Sequence, residues 1–114
     1  AAGDMVAHTG KVDATVKAIE VLDECVGKLF KVISSRNGAL VIISDHGNAE
    51  EIINLHTGDV DTEHSTNPVP FIFATKKVEP RELQFGILAD VSPTILSKMG
   101  IKKPSSMTGR NLLA

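Results

Sequence analysis

The sequence has no tryptophan or tyrosine, and aromatic residues make up only 4% of its 114 positions. Proteins that bind single-stranded nucleic acid or RNA loops stack bases on exposed rings, so this scarcity argues against that class. Lysine and arginine are scattered, and the formal net charge is −2, so no basic stripe follows a phosphate backbone. We therefore expect no nucleic-acid partner.

Cysteine and long apolar runs are equally scarce. Cys25 is the single cysteine, which excludes an internal disulfide and fits a reducing compartment. It lies near the apolar stripe of a predicted helix, which favours a small buried residue over a nucleophile. No apolar run approaches the roughly 20 residues of a membrane span, and no signal-peptide pattern opens the chain. We expect a cytoplasmic protein that does not bind membranes.

Hydrophobic residues make up 42% of the chain, and their spacing predicts helices and strands. Residues 11–34 have the three-to-four-residue apolar repeat of an amphipathic helix, and residues 36–38 form its stop. Residues 39–43 form a short β-branched run typical of a buried strand in a parallel sheet. Residues 71–74 predict a second buried strand, and residues 90–99 a helix with Asp90 as its N-cap.

The remaining segments connect these elements. Residues 48–54 predict a short helix, residues 55–67 a polar loop, residues 76–82 a surface connection and residues 101–114 an irregular tail. The order helix, strand, strand, helix indicates an α/β fold, although two strands do not complete a sheet.

Three polar clusters, at residues 4–10, 45–50 and 62–68, contain three of the four histidines. Imidazole and carboxylate together suit divalent ions such as Mn²⁺ or Zn²⁺. Asp4 and His8 are four positions apart, so one helical turn or a tight loop aims both at one ion. Any single cluster is more often a cap or a surface loop, but three together favour a metal site. His56 lies outside the clusters, and we interpret it as an ordinary loop residue.

Five stretches, in this order, resemble the cofactor-independent phosphoglycerate mutases of the alkaline-phosphatase superfamily. They are GDMVAHTG, SDHGNAE, HSTNPVPF, LADVSPTIL and MTGR, which begin at residues 3, 44, 64, 88 and 107. The resemblance implies a partial alkaline-phosphatase-like three-layer sandwich, with a mostly parallel sheet flanked by helices. It also implies that residues 1–114 are a single partial domain, the C-terminal portion of the metal-binding phosphatase domain. The N-terminal strands, the nucleophile and the transferase domain are expected to be absent.

The resembled family interconverts 3-phosphoglycerate and 2-phosphoglycerate in glycolysis and gluconeogenesis. It uses a phosphoserine intermediate and two Mn²⁺ ions, replaced in some members by Mg²⁺, Co²⁺ or Zn²⁺. By position, Asp4, His8 and His64 are implied as ligands of one ion, and Asp45 and His46 as ligands of the other. The nucleophilic serine has no counterpart in these motifs, so no catalytic residue is assigned. We therefore expect the isolated chain to lack mutase activity and to be metal-free or only partly occupied.

One position departs from the family pattern, and two other functions stay open. Ala7 stands where the family usually has glycine, and alanine would be strained if a positive φ were required there. The alternatives are another phosphomutase or phosphatase of the same superfamily, and a non-catalytic metal-binding module. An unpaired sheet edge also favours association, so we expect copies of the chain to self-associate through it.

Overall fold

The computed structural model describes residues 2–77 and 83–113, which belong to two compact units divided after residue 78. The first unit contains helix α1 (Ala2–Ala7), helix α2 (Val12–Ser35), strand β1 (Ala39–Ile43) and strand β2 (Phe71–Thr75). The second unit contains helix α3 (Val91–Lys98). Among the described residues, no helix is both long enough and apolar enough to cross a membrane.

Helix α2 agrees with its prediction to within one residue at each end. It stops where Asn37 adopts a left-handed φ of 55°, and the Gly38 N–H donates to the Ile33 carbonyl at 3.0 Å. Asparagine tolerates this conformation better than most residues, which explains the stop. The predicted C-terminal signal is therefore confirmed.

Helix α1 packs directly against α2. Gly3 is buried in α1, and a Cβ added to it would lie 3.2 Å from side-chain carbons of Ile19 and Leu22. This close approach fixes α1 on one side of α2. The contact between the two helices therefore holds the first polar cluster, which begins in α1, in a fixed position on α2.

Strands β1 and β2 confirm the predicted runs, but they pair antiparallel. Ala39 lies opposite Thr75, and Ile43 lies opposite Phe71. The expectation of a mostly parallel sheet is wrong for this pair, because the chain after β1 turns back at the Ile43 end and enters β2 there. Periodicity detects an apolar strand but carries no information about the direction of its partner.

The two strands and Cys25 are less buried than the sequence predicts. The strands are only partly buried, with Ile43 38% and Ile72 48% exposed. Cys25 is exposed, so its predicted burial is wrong. In the described part of the chain, the buried apolar residues are Ala7, Ile52 and Leu112.

The segment between β1 and β2 folds into a long hairpin-like excursion. Isolated antiparallel bridges join Gly47 to Ser65 and Ile53 to Val60. A single 3-10 turn, Ala49–Glu51, replaces the short helix predicted for residues 48–54. The excursion places the residues after β1 beside the residues before β2.

In the second unit, a 3-10 turn, Leu88–Asp90, precedes α3. Asp90 occupies the N-cap position of α3, as predicted, but its side chain makes no cap hydrogen bond to the helix, and its φ and ψ are already helical. Its carboxylate instead accepts hydrogen bonds from the Ile87 and Arg110 backbone N–H groups at 2.9 and 2.8 Å. These bonds lower the pKa of Asp90.

The end of α3 and the chain beyond it match their predictions. Gly100 has a φ of 70°, as expected of a helix stop. Residues 101–113 contain no helix or strand. The Leu112 N–H donates to the buried Thr94 hydroxyl at 3.0 Å, which fastens the tail to α3. The predicted connection at residues 76–82 lies largely outside the described residues.

Candidate metal centre

Asp4 and His8 lie on consecutive turns of α1 and its extension. The His8 N–H donates to the Asp4 carbonyl at 3.1 Å, so the helical hydrogen-bond pattern continues to His8. Residues four apart share one helix face, and the Asp4 Oδ1 and His8 Nε2 atoms are 3.3 Å apart. Of the two arrangements that the sequence left open, the helical turn is the one formed.

His64 reaches the same point from the loop before β2. Its Nε2 lies 3.3 Å from Asp4 Oδ1 and 3.1 Å from His8 Nε2. The three donor atoms therefore form a nearly equilateral triangle. The side chains are 37%, 42% and 48% exposed for Asp4, His8 and His64, so the triangle opens to solvent on one side.

The size of this triangle suits a divalent cation. Donors about 2.1 Å from an ion lie about 3.0 Å apart in an octahedron and about 3.4 Å apart in a tetrahedron. The observed edges of 3.1 to 3.3 Å fall between these values. One carboxylate oxygen and two imidazole nitrogens are also an ordinary donor set for Mn²⁺, Co²⁺ or Zn²⁺.

A backbone carbonyl sets the tautomer of His8. Its Nδ1 lies 2.5 Å from the Thr62 carbonyl oxygen, and a carbonyl can only accept a hydrogen bond. The proton of the neutral ring therefore sits on Nδ1, which leaves the Nε2 lone pair directed at Asp4 and His64. Metal-binding histidines are commonly oriented by such a bond.

Asp45 and His46 form a second, smaller group beside the triangle. The Asp45 Oδ1 and His46 Nε2 atoms are 3.6 Å apart, and the Asp45 side chain is 84% exposed. The His46 ring stacks on the His64 ring with centroids 3.6 Å apart and planes tilted by 19°. Ser44 donates to the His46 carbonyl at 2.7 Å, which steadies this turn. The pair supplies two donors, one fewer than the triangle.

Asn48 is a component of the site that the sequence reasoning missed. It is only 6% exposed, and its Nδ2 donates to Asp4 Oδ1 at 3.3 Å. Its Oδ1 is buried without a hydrogen-bond partner, which costs about 1–3 kcal/mol in a folded protein. The feature of the sequence that could have indicated its role is its position three residues after Asp45, within the second polar cluster.

Glu50 joins the two chain segments that carry the site. Its carboxylate accepts hydrogen bonds from the Ser65 hydroxyl, from the Asn48 N–H at 2.8 Å and from Asn67 Nδ2 at 3.1 Å. Slight desolvation raises the pKa of Glu50, but these hydrogen bonds, that of Ser65 first, outweigh it and lower the pKa to about 2. The side chain is therefore an anion at every ordinary pH.

Two other residues singled out by the sequence, His56 and Ala7, contribute no donor to this cluster. His56 is exposed in the turn that follows Ile53, as predicted. Ala7 is fully buried and belongs to helix α1. Its φ is not positive, since Asn37 is the one non-glycine residue with a positive φ among those that the structure describes. The suspected strain at Ala7 is therefore absent.

Relatives of the chain are named for one enzyme. A 2,3-bisphosphoglycerate-independent phosphoglycerate mutase of Clostridium beijerinckii is 50% identical over 110 residues, covering 96% of this chain and 22% of that protein. One of Methanosarcina barkeri, named as number 2, is 48% identical over 110 residues, covering 96% of this chain and 21% of that protein. The chain therefore spans about a fifth of the length of the curated relatives it matches.

A solved structure shares the fold. Leishmania mexicana phosphoglycerate mutase, determined at low cobalt concentration, superposes with a TM-score of 0.79 at 29% identity. The match covers 95% of this chain and 23% of that one. This likeness confirms the α/β fold class and its relation to the phosphoglycerate mutase fold.

The family model agrees with the donor chemistry of the site. It is described as the Metalloenzyme superfamily, and it matches residues 1–103, which include the whole triangle and the Asp45–His46 pair. This chain, with carboxylate and imidazole donors gathered at one point, belongs to the Metalloenzyme superfamily.

Proposed function

We propose that this chain is the metal-binding part of a 2,3-bisphosphoglycerate-independent phosphoglycerate mutase, which interconverts 3-phosphoglycerate and 2-phosphoglycerate. The observation that carries the proposal is the donor triangle of Asp4, His8 and His64, with edges of 3.1 to 3.3 Å. The relatives named above supply the reaction, since they are about 50% identical over almost the whole chain.

In this proposal, Asp4, His8 and His64 hold one cation, and Asp45 and His46 contribute to a second. Mn²⁺ is the expected ion, with Mg²⁺, Co²⁺ or Zn²⁺ as substitutes. Two bound cations would stabilise a serine alkoxide and the negative charge of the phosphoryl group.

The protein's own contribution is orientation. The Thr62 carbonyl keeps the proton of the neutral His8 ring on Nδ1, so that the Nε2 lone pair faces the centre. The stack of His46 on His64 keeps the two groups of donors adjacent. Between 37% and 48% of each triangle side chain is exposed, which leaves room for a phosphate oxygen to approach.

The 114 residues are proposed to be the C-terminal portion of a phosphatase-like domain. Asp45 and His46 offer two donors, whereas catalytic metal sites commonly use three protein ligands. We propose that the missing ligand and the serine nucleophile belong to parts of the enzyme outside these 114 residues. We therefore expect the isolated chain to show no turnover of 3-phosphoglycerate, and detectable turnover would contradict this.

A chimera tests the function directly. These residues replace the matching 110 residues of the Clostridium beijerinckii enzyme, which are 50% identical. We expect the chimera to isomerise 3-phosphoglycerate within about tenfold of the parent rate, because both site groups are retained. His64→Ala in the chimera should lower kcat/KM by about 100-fold or more, since it removes a direct ligand.

His56→Ala is the matched control for this experiment. His56 is exposed and lies outside the cluster, so its removal should leave kcat/KM unchanged within about twofold. A folded but inactive chimera would refute the proposal. Release of inorganic phosphate without isomerisation would identify another phosphatase-like enzyme instead.

The proposed activity implies a metabolic pathway and a cell compartment. Interconversion of the two phosphoglycerates is a step of glycolysis and gluconeogenesis, for which the cytoplasm is the expected compartment. Cell fractionation with an antibody to the chain tests this, and recovery in the membrane fraction would contradict it.

We also propose that copies of the isolated chain associate through β1. In the described sheet, β1 pairs with β2 on one side and has no strand on its other side. Such an edge is a template for pairing with another strand. Sedimentation at high concentration should show dimers or larger species, and a strictly monomeric chain would contradict the proposal.

A further inference from the structure

We propose that Asn48 and Glu50 are positioning residues for the metal centre, which hold the Asp4 carboxylate and the loop of His64 at the spacing a cation needs. The inference rests on the proposed function, because it assigns these residues to the metal-binding triangle. Neither residue is a donor in the triangle, and each acts through another group.

Glu50 ties together the two chain segments that meet at the site. One carboxylate oxygen accepts from the Asn48 N–H at 2.8 Å, and the other accepts from the Ser65 hydroxyl and from Asn67 Nδ2 at 3.1 Å. Ser65 directly follows His64, and its N–H also donates to the Gly47 carbonyl at 2.9 Å. Glu50 therefore fixes the backbone on which His64 is mounted.

Asn48 extends this connection to α1. Its side-chain Nδ2 donates to Asp4 Oδ1, the same oxygen that lies 3.3 Å from both His8 and His64. That oxygen is thereby fixed in direction, as carboxylate ligands of metals usually are by a neighbouring donor. The connection runs from Asp4 through Asn48 to Glu50, and from there to the loop of His64.

The state of the Asn48 amide favours a functional role over a stabilising one. Its Oδ1 is buried without a partner, so the side chain as a whole does not maximise its hydrogen bonds. A buried polar group of this kind is unfavourable for folding unless its orientation serves another purpose. Here the orientation places a donor on the Asp4 oxygen, which is common to two of the three edges of the triangle.

Two variants of the full 114-residue chain test the proposal, with Co²⁺ as the probe. Asn48→Leu keeps the approximate volume but removes the donor to Asp4. Glu50→Gln keeps one accepting oxygen, so it can serve only one of the two arms. We expect each variant to bind Co²⁺ about tenfold more weakly by calorimetry, at the lower end of effects for residues that orient metal ligands.

The visible absorption of bound Co²⁺ separates positioning from simple destabilisation. Displaced ligands change the band positions, whereas a less stable but correctly built site gives the same bands at lower occupancy. Glu63→Gln is the matched control, because it removes the same charge from an exposed residue next to His64. It should change affinity by less than about threefold and leave the bands unchanged.

Each outcome decides the matter. Weaker binding with shifted bands in both variants, but not in the control, supports the proposal. Wild-type affinity and bands in both variants overturn it while leaving the metal centre intact. Absence of Co²⁺ binding by the wild-type chain overturns both this inference and the assignment of the triangle to a cation.

Discussion

Replacing Gly47 with alanine tests the connection between stability and the site. A Cβ at this position would lie closer than 3.0 Å to Ser65 Oγ and to Glu50 Oε1, a separation that real Cβ atoms essentially never show. Both atoms belong to side chains that can rotate, but they are hydrogen-bonded to each other. They can withdraw only by breaking that bond.

The expected cost follows from this geometry. Relieving the overlap by side-chain rotation forfeits the Ser65–Glu50 bond, and partial relief leaves residual overpacking. Together we expect Gly47→Ala to lower the free energy of unfolding by about 1–2 kcal/mol. Metal affinity should fall with it, because the loop that carries His64 is released.

Gly27→Ala is the matched control. Gly27 lies inside α2, and a Cβ there meets nothing within 4 Å. Alanine in a helix interior is about 0.5–1 kcal/mol more favourable than glycine, so this variant should be stabilised. Urea unfolding at pH 7, followed by circular dichroism, measures both changes. Equal stability of Gly47→Ala and the wild-type chain would refute the reasoning.

Three further predictions follow from other contacts. The pKa of Glu50 lies at about 2, below its ordinary 4.5, so its ionised form stabilises the fold above pH 4.5 and this contribution is lost as the pH falls towards 2. The stability difference between wild type and Glu50→Gln should thus shrink between pH 7 and pH 2, and a constant difference would contradict this. Asn37→Ala should cost about 1 kcal/mol, because Asn37 has a φ of 55°. Asn37→Gly should not, and thermal unfolding distinguishes the two. Mn²⁺ at about 100 times its Kd should stabilise the wild-type chain by about 2.7 kcal/mol, reversed by a chelator, and His8→Ala should show no such gain.

Elements with a strong repeat were predictable from the sequence. Helix α2 and the two strands lie within one residue of their predicted positions, because each is decided by neighbouring residues along the chain. The direction of β2 was not predictable in this way. The direction of β2 depends on the path of residues 44–70, and this segment has no apolar repeat from which its structure could be predicted.

The metal-donor residues of the site could be predicted from the sequence, but the residues that hold them in position could not. Asp4, His8 and His64 lie in clusters that residue type alone singles out, and the family resemblance groups them on one ion, although their role as ligands stays a prediction. Asn48 and Glu50 have no such signature, since asparagine and glutamate are common in surface turns. Their roles arise only when the 47–50 turn and the 65–67 loop meet.

His8 and His64 are separated by 56 positions of sequence, yet their nitrogens are 3.1 Å apart. A cation bound to both would bridge the two ends of a long loop in the folded protein. Bringing the ends of such a loop together costs about 4 kcal/mol of chain entropy by the relation used for disulfides, so an unfolded chain would hold the ion far more weakly than the folded one. Few apolar side chains are buried in the described part of the chain, so the ion would be a principal source of stability for the first unit, and chelation would destabilise that unit.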